Sequence, residues 1–115
     1  MPTMLIKSRQ KAYQQQSGCC IYCHKPMWLE KPEDFANKFK ITKRQVRFYQ
    51  CTAEHLLSRQ DGGKDSLNNI AAACKYCNQQ RHKSKSALPP VKYQEYVQRK
   101  VAQNRWPTTR FLQSH

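Results

Sequence analysis

Hydrophobic positions recur at helical spacing in some parts of the chain and crowd together in others. This pattern is the main sequence signal for helices and strands. Near the start, the apolar pair Leu5 and Ile6 returns one heptad later as Ala12 and Tyr13. The spacing predicts an amphipathic helix over 3–16.

The remainder of the chain divides into further elements by the same reasoning. Tyr93, Val97 and Val101 share one helical face, which predicts a helix over 91–104. β-Branched and aromatic residues are frequent over 45–57, which predicts a strand. The other expected elements are a helix over 32–39 with Pro32 in its first turn, a short apolar segment over 69–73 and a polar helix over 75–85.

Cysteines occur as two closely spaced pairs, Cys20-x-x-Cys23 and Cys74-x-x-Cys77. Two intervening residues allow both thiolates of a pair to reach one ion, and two pairs complete a tetrahedral zinc site. A site closed by four thiolates is structural and leaves no position open for catalysis. The pattern therefore predicts a zinc ion that holds the two halves of a small domain together.

Alternatives to this zinc assignment are few. A redox CxxC motif needs one pair in a thioredoxin-like context, and the pattern of elements does not provide that context. Cys19 also has a workable ligand spacing to Cys23, so it competes with Cys20 for the site. Cys51 lies in the predicted strand, where a small buried apolar role is expected.

Charge is strongly unbalanced, with 21 Lys and Arg against 7 Asp and Glu in 115 residues and a net charge of +14. An excess of this size favours a polyanionic partner. No strongly apolar face accompanies the basic residues, so nucleic acid is favoured over a membrane surface. A basic surface that only aids solubility is the alternative interpretation.

The cellular compartment is inferred from what the sequence lacks. It contains no long apolar run, and 1–16 shows no signal-peptide pattern. We therefore expect a cytoplasmic protein, and in a reducing cytoplasm paired cysteines are metal ligands more often than disulfides.

Between and after the cysteine pairs the chain resembles the HNH nuclease family. The motif runs, in order, through Glu54-His55, Gly62-Gly63, Asn69, and Cys74-x-x-Cys77 followed directly by Asn78. Order and spacing agree over 20–81. The one departure is Asn78, which stands where the family name implies histidine, and the family tolerates that replacement.

The resemblance implies a fold and a domain organisation. We expect an α+β protein with a small, zinc-stapled ββα-metal core and flanking helices. A single nuclease domain over 1–115 is expected, with its core at about 18–86 and a basic helical extension at about 87–115.

Chemistry and resemblance together suggest roles for the motif residues. A neutral imidazole suits a general base near neutral pH, and His55 is the candidate. By resemblance, Glu54 and Asn78 ligate a catalytic Mg²⁺ or Mn²⁺, while Asn69 braces the loop and helps to fix His55. His82 shares a helical face with Asn78, and its role stays open between a metal ligand, a phosphate contact and none.

One objection concerns Glu54 and His55, because neighbouring side chains of a regular strand point to opposite faces. Basic residues flank the motif on both sides and are expected to bind the phosphate backbone. They are Lys43, Arg44, Arg47, Arg81, Lys83 and Lys85.

The sequence therefore predicts a metal-dependent endonuclease that hydrolyses phosphodiester bonds in DNA. It would act as a monomer or homodimer, without a membrane partner. Two alternatives stay open, a non-catalytic zinc module that binds nucleic acid and a nuclease that cleaves RNA.

Overall fold

The computed structural model describes residues 2–112 and contains two strands among short helices. The strands are β1 (Cys51–His55) and β2 (Ile70–Cys74). The helices are α1 (Met4–Gln15), α2 (Pro32–Phe39), α3 (Lys43–Val46), α4 (Lys75–Arg81), α5 (Pro90–Ala102) and α6 (Pro107–Phe111). Single 3₁₀ turns cover Arg47–Tyr49, Arg59–Asp61 and Leu67–Asn69. The expected α+β class with a ββα core is confirmed.

The core of the fold is the antiparallel pair β1–β2 followed directly by α4. Cys51 pairs with Cys74 at one end, and His55 pairs with Ile70 at the other. Every residue of β2 is buried, which explains its unbroken apolar sequence. The register places His55 at the loop end of the hairpin, next to the segment that joins the strands.

Helix α1 packs against this hairpin and satisfies part of its backbone. The Thr3 hydroxyl accepts from Ile6 N and caps the helix. After the helix, the Gln16 amide donates to Ala72 O at 2.8 Å and accepts from Ala72 N at 2.9 Å. A buried strand backbone is thereby paired by a side chain where no third strand is present.

The predicted strand over 45–57 is wrong in its first half. Thr42 and Gln45 form a reciprocal capping box that begins α3, and a 3₁₀ turn follows before β1 starts at Cys51. Val46 and Tyr49 are buried on these helical turns. Their strand-forming side chains contribute packing there, so local capping outweighs β-propensity. The helix expected over 75–85 also ends earlier, at Arg81.

The C-terminal helices α5 and α6 pack on the cysteine-rich part of the core. Tyr93 donates its hydroxyl to Cys77 O at 2.8 Å, and the Trp106 indole donates to Cys77 Sγ at 3.3 Å. Trp106 is 5% exposed. No helix within residues 2–112 combines the length and apolar character that a membrane span requires.

Candidate active site and metal centre

Four cysteine sulfurs converge in the interior. Cys20 and Cys23 lie on a turn between α1 and α2, Cys74 ends β2, and Cys77 lies in the first turn of α4. Their Sγ atoms all lie within 4.8 Å of one another, and those of Cys23 and Cys74 are 3.9 Å apart. Tetrahedral zinc with bonds of about 2.3 Å separates its sulfur ligands by about 3.8 Å. The four sulfurs thus fit a zinc ion.

Hydrogen bonds and burial describe the electrostatics of this cluster. Cys20 Sγ accepts from the backbone N–H groups of Tyr22 and Cys74. Burial raises the pKa of the Cys74 and Cys77 thiols well above the usual value, since a buried thiolate lacks a compensating charge. Burial also opposes ionisation of Cys20, but hydrogen bonds from the other three cysteines hold its pKa well below the usual value. A bound cation supplies the charge that four buried thiolates require.

The two other cysteines lie outside the cluster. Cys19 is partly exposed, and its Sγ contacts Ser17 O at 3.7 Å. Of the adjacent residues Cys19 and Cys20, it is therefore Cys20 that belongs to the cluster. Burial raises the pKa of the Cys51 thiol to about 11. Cys51 is therefore a neutral buried side chain at neutral pH.

A second site lies at the loop end of the hairpin, where a cavity of about 320 Å³ is open to solvent. Glu54, His55, Asn78 and His82 all line it. Glu54 and His55 are neighbours in β1, yet both border this cavity. The objection from strand alternation is met because His55 is the last residue of the strand.

His55 is oriented by an acidic residue from the following loop. Its Nε2 lies 2.8 Å from Asp65 Oδ1, and the Arg59 guanidinium contacts the same carboxylate at 3.2 Å. The hydrogen bond from His55, with Arg59 assisting, lowers the pKa of Asp65 below its usual range. An ionised carboxylate can only accept, so Nε2 carries the hydrogen and Nδ1 of the neutral ring is the free acceptor.

Asn69 closes the loop that follows His55. Its Oδ1 accepts from Leu57 N at 2.8 Å, while its Nδ2 donates to Leu57 O and Lys64 O at 3.0 and 2.8 Å. Gly63 is required by space, because a Cβ there would lie 1.8 Å from Leu57 O. Gly62 is required by its left-handed φ of 93°. The Asn69 side chain thus acts on the loop, and it makes no hydrogen bond to the His55 side chain.

The Glu54 carboxylate is nearly inaccessible and has three partners. Oε2 accepts from the Tyr22 hydroxyl at 3.0 Å and pairs with Arg81 Nη1 at 3.2 Å. Oε1 lies 3.0 Å from His82 Nε2. Burial, reinforced by the nearby Glu54 charge, raises the pKa of Tyr22, which therefore keeps its proton and donates to this carboxylate.

Asn78 presents its amide in a fixed orientation. Its Nδ2 donates to Thr52 Oγ1 at 3.0 Å and to Ala53 O at 3.3 Å. Its Oδ1 has no hydrogen-bond donor among residues 2–112. The oxygen is therefore free to bind a ligand at the cavity. His82, one turn further along, is half-exposed and contacts Glu54 instead.

The basic residues expected to bind phosphate differ in exposure. Lys43, Arg44 and Arg47 are exposed at α3, and Lys83 and Lys85 are exposed after α4. Arg81 departs from this expectation. Its side chain is buried, with Nε donating to Leu88 O at 2.9 Å and Nη1 paired with Glu54. The structure gives Arg81 contacts that hold Glu54, in place of an exposed contact.

Asp65 and Tyr22 are among the residues of the site that the sequence did not predict. Asp65 follows the Gly-Gly pair by two positions, and its acidity in so basic a chain was an available signal. Tyr22 lies between two cysteine ligands and reaches Glu54 across 32 positions. No local pattern indicates a contact of that range.

An antiparallel hairpin followed by a helix, with a four-cysteine cluster and a histidine-lined cavity, defines a small α+β metal-binding module of the ββα type. The chain belongs to the HNH endonuclease family, whose family model matches residues 20–84, more than half of the chain. Comparisons with curated proteins and with solved structures give no match.

Proposed function

We propose that this protein is a metal-dependent endonuclease that hydrolyses phosphodiester bonds in DNA, with His55 as the general base. The observation that carries the proposal is the shared cavity. Glu54 and His55 from one point of the motif and Asn78 from another border one open space of about 320 Å³. That space is accessible from solvent, as a site for a polymer backbone must be.

His55 would take a proton from the attacking water at Nδ1. Asp65 occupies Nε2 and fixes the ring, so the remaining nitrogen is the one available to a water in the cavity. A neutral imidazole accepts a proton near neutral pH. Asn69 supports this geometry indirectly, because it closes the loop that carries Asp65.

Glu54 and Asn78 would hold the catalytic Mg²⁺ or Mn²⁺. Both groups are hard oxygen ligands; Asn78 Oδ1 is unpaired among residues 2–112, whereas Glu54 Oε1 would exchange its contact with His82 for the ion. When bound, the ion stabilises negative charge on the phosphate and the leaving oxygen. Tyr22 and Arg81 keep the Glu54 carboxylate in place, and His82 is close enough to contact the same carboxylate.

DNA is the proposed substrate because the chain carries a net charge of +14 and exposes basic residues on both sides of the motif. Lys43, Arg44 and Arg47 would bind backbone on one side, and Lys83 and Lys85 on the other. RNA-binding proteins read single strands on exposed aromatic residues. Among the described residues, Phe111 is the one exposed aromatic side chain, and it stacks on Phe48. The surface therefore lacks a row of free aromatic rings for RNA bases within residues 2–112.

The test is incubation of the purified protein with supercoiled plasmid in Mg²⁺, Mn²⁺ or excess chelator. We expect nicked circles before linear product, since one site cuts one strand at a time, and no cleavage with chelator. Labelled RNA of matched length is run in parallel. Binding without cleavage in either metal would favour the non-catalytic module, and preferential cleavage of RNA would favour the second alternative.

The assignment of the metal ligand is tested separately by the divalent-ion concentration that gives half-maximal cleavage. Asn78→Ala removes the oxygen, whereas Asn78→Asp keeps one. We expect Asn78→Ala to raise the requirement at least about tenfold and Asn78→Asp to raise it less. If His82→Ala raises the requirement and Asn78→Ala does not, His82 is the ligand.

A further inference from the structure

A groove of about 470 Å³ lies between α1, β1 and α4, beside the candidate active site. It shares Ala53, Asn78 and His82 with the cavity that contains His55, so the two spaces adjoin each other. Leu5, Ile6 and Arg9 of α1 form the far wall. Helix α1 precedes the part of the chain that the family model matches.

The groove is electropositive and lacks an internal counter-charge. Arg9 and Lys75 line it, and none of its lining residues is acidic. Arg9 Nε is buried and has no hydrogen-bond partner among residues 2–112. A buried guanidinium N–H without an acceptor is costly, and an anion bound by the same guanidinium would offset its charge.

We infer that this groove binds a backbone phosphate of the substrate strand, next to the phosphate that is cut. The inference rests on the proposed function, because an anion bound beside the His55 cavity would be a neighbouring phosphate of the same strand. Arg9 and Lys75 would contact the phosphate oxygens. Leu5 and Ile6 would pack against the adjoining sugar, which has an apolar face. Helix α1 is then part of the substrate site.

The experiment measures binding and not cleavage. A short fluorescent DNA duplex is titrated, without divalent ions, against His55→Asn protein and against the same protein carrying Arg9→Gln or Lys75→Gln. The titrations cover about 50 to about 200 mM salt. Each neutralised phosphate contributes a log–log slope of about −0.9 to the salt dependence. Loss of one contact therefore makes the fall in affinity over this range about 3.5-fold smaller.

Lys11→Gln is the matched control, because Lys11 is an exposed cation of the same helix and does not line the groove. We expect Arg9→Gln and Lys75→Gln each to reduce the slope by about 0.9, and Lys11→Gln to leave it nearly unchanged. Arg9→Lys should retain most of the slope. Wild-type slopes for both groove variants would overturn the inference.

Zinc content and circular dichroism establish that each variant is folded, and if Arg9→Gln is not, Lys75→Gln decides the result. The experiment distinguishes failure of the groove proposal from failure of the proposed nuclease function. If only the groove variants have smaller salt slopes, phosphate binding in the groove is supported even where the plasmid is not cut. If the plasmid is cut but the slopes of the groove variants are unchanged, phosphate binding in the groove is refuted and the nuclease function stands.

Discussion

At the residue scale, the orientation of the His55 ring depends on a short chain of contacts. Ser8 of α1 donates its hydroxyl to Asp65 O at 2.7 Å, and the Asp65 carboxylate in turn holds His55 Nε2 at 2.8 Å. Arg59 donates to both oxygens of that carboxylate. A base whose ring is fixed in this way is already positioned before substrate arrives.

Replacement of Asp65 by Asn tests this contact. We expect cleavage to fall at least about tenfold with zinc content unchanged, as for other residues that orient a functional histidine. The hydrogen bond from His55 lowers the pKa of Asp65 below its usual range, so the contribution of this carboxylate is present above that range and is lost as the pH falls through the lowered value. The Asp65→Asn protein should lack this loss on the acid side.

Asp61→Asn is the control for this measurement. Asp61 lies in the same loop and bonds to Ser58 at 2.9 Å, but it does not contact His55. An Asp65→Asn protein with the rate and pH profile of the Asp61→Asn protein would show that Asp65 does not position the base.

Sequence reasoning reached the residues of the motif because their order along the chain carries the information. His55, Glu54 and Asn78 indeed border one cavity. The contacts that hold them could not be predicted in the same way. Asp65, the partner of His55, lies 10 positions away in an irregular loop. Tyr22 contacts Glu54 from the turn that carries Cys20 and Cys23. Such pairs are set by tertiary packing, which periodicity does not report.

At the element scale, the helices were more predictable than the start of β1. Helix α2 begins at Pro32 and ends at Phe39 as expected, since proline in the first turn and a clear apolar face act locally. The strand was extended too far because Val46, Phe48 and Tyr49 favour strands on average. Here the Thr42–Gln45 capping box fixes a helical turn first.

Helix α4 carries the buried ion pair between Arg81 and Glu54. The two side chains are 8% and 2% exposed, so removal of one partner leaves a charge in the interior. We expect Arg81→Met to lower the free energy of unfolding by about 3 kcal/mol, near the lower end for breaking a buried pair, because Tyr22 and His82 still contact Glu54. Urea unfolding of the zinc-loaded protein measures this value.

Lys83→Met removes an exposed positive charge two positions later and should cost far less. The double variant Glu54→Gln with Arg81→Met should recover part of the loss, since it leaves no unpaired buried charge. Equal unfolding energies for Arg81→Met and Lys83→Met would contradict the buried role of Arg81.

At the scale of the whole molecule, the four-cysteine cluster joins segments that are far apart in sequence. Cys23 and Cys74 are separated by 51 positions, and α5 and α6 pack around Cys77 through Tyr93 and Trp106. A chain of 115 residues has a limited core, so a metal that links these parts contributes to folding itself.

Metal analysis tests this link. We expect wild-type protein to hold one zinc per chain and Cys74→Ser to lose zinc together with its cooperative thermal transition. Cys51→Ala is the control, because Cys51 is equally buried and lies outside the cluster. Zinc-free protein that stays fully folded, or equal zinc loss in both variants, would refute the structural role of the site.

His55 is proposed to remove the proton from the attacking water. This role is tested by the rate of plasmid nicking by His55→Asn protein, with His24→Asn, in the turn that follows Cys23, as the control. The Asn amide can still donate to Asp65 but cannot accept a proton near neutral pH. We predict a loss of at least about 10²-fold for His55→Asn, with zinc content and DNA affinity retained, and little change for His24→Asn. Nicking by His55→Asn protein at the wild-type rate would show that His55 is not the general base.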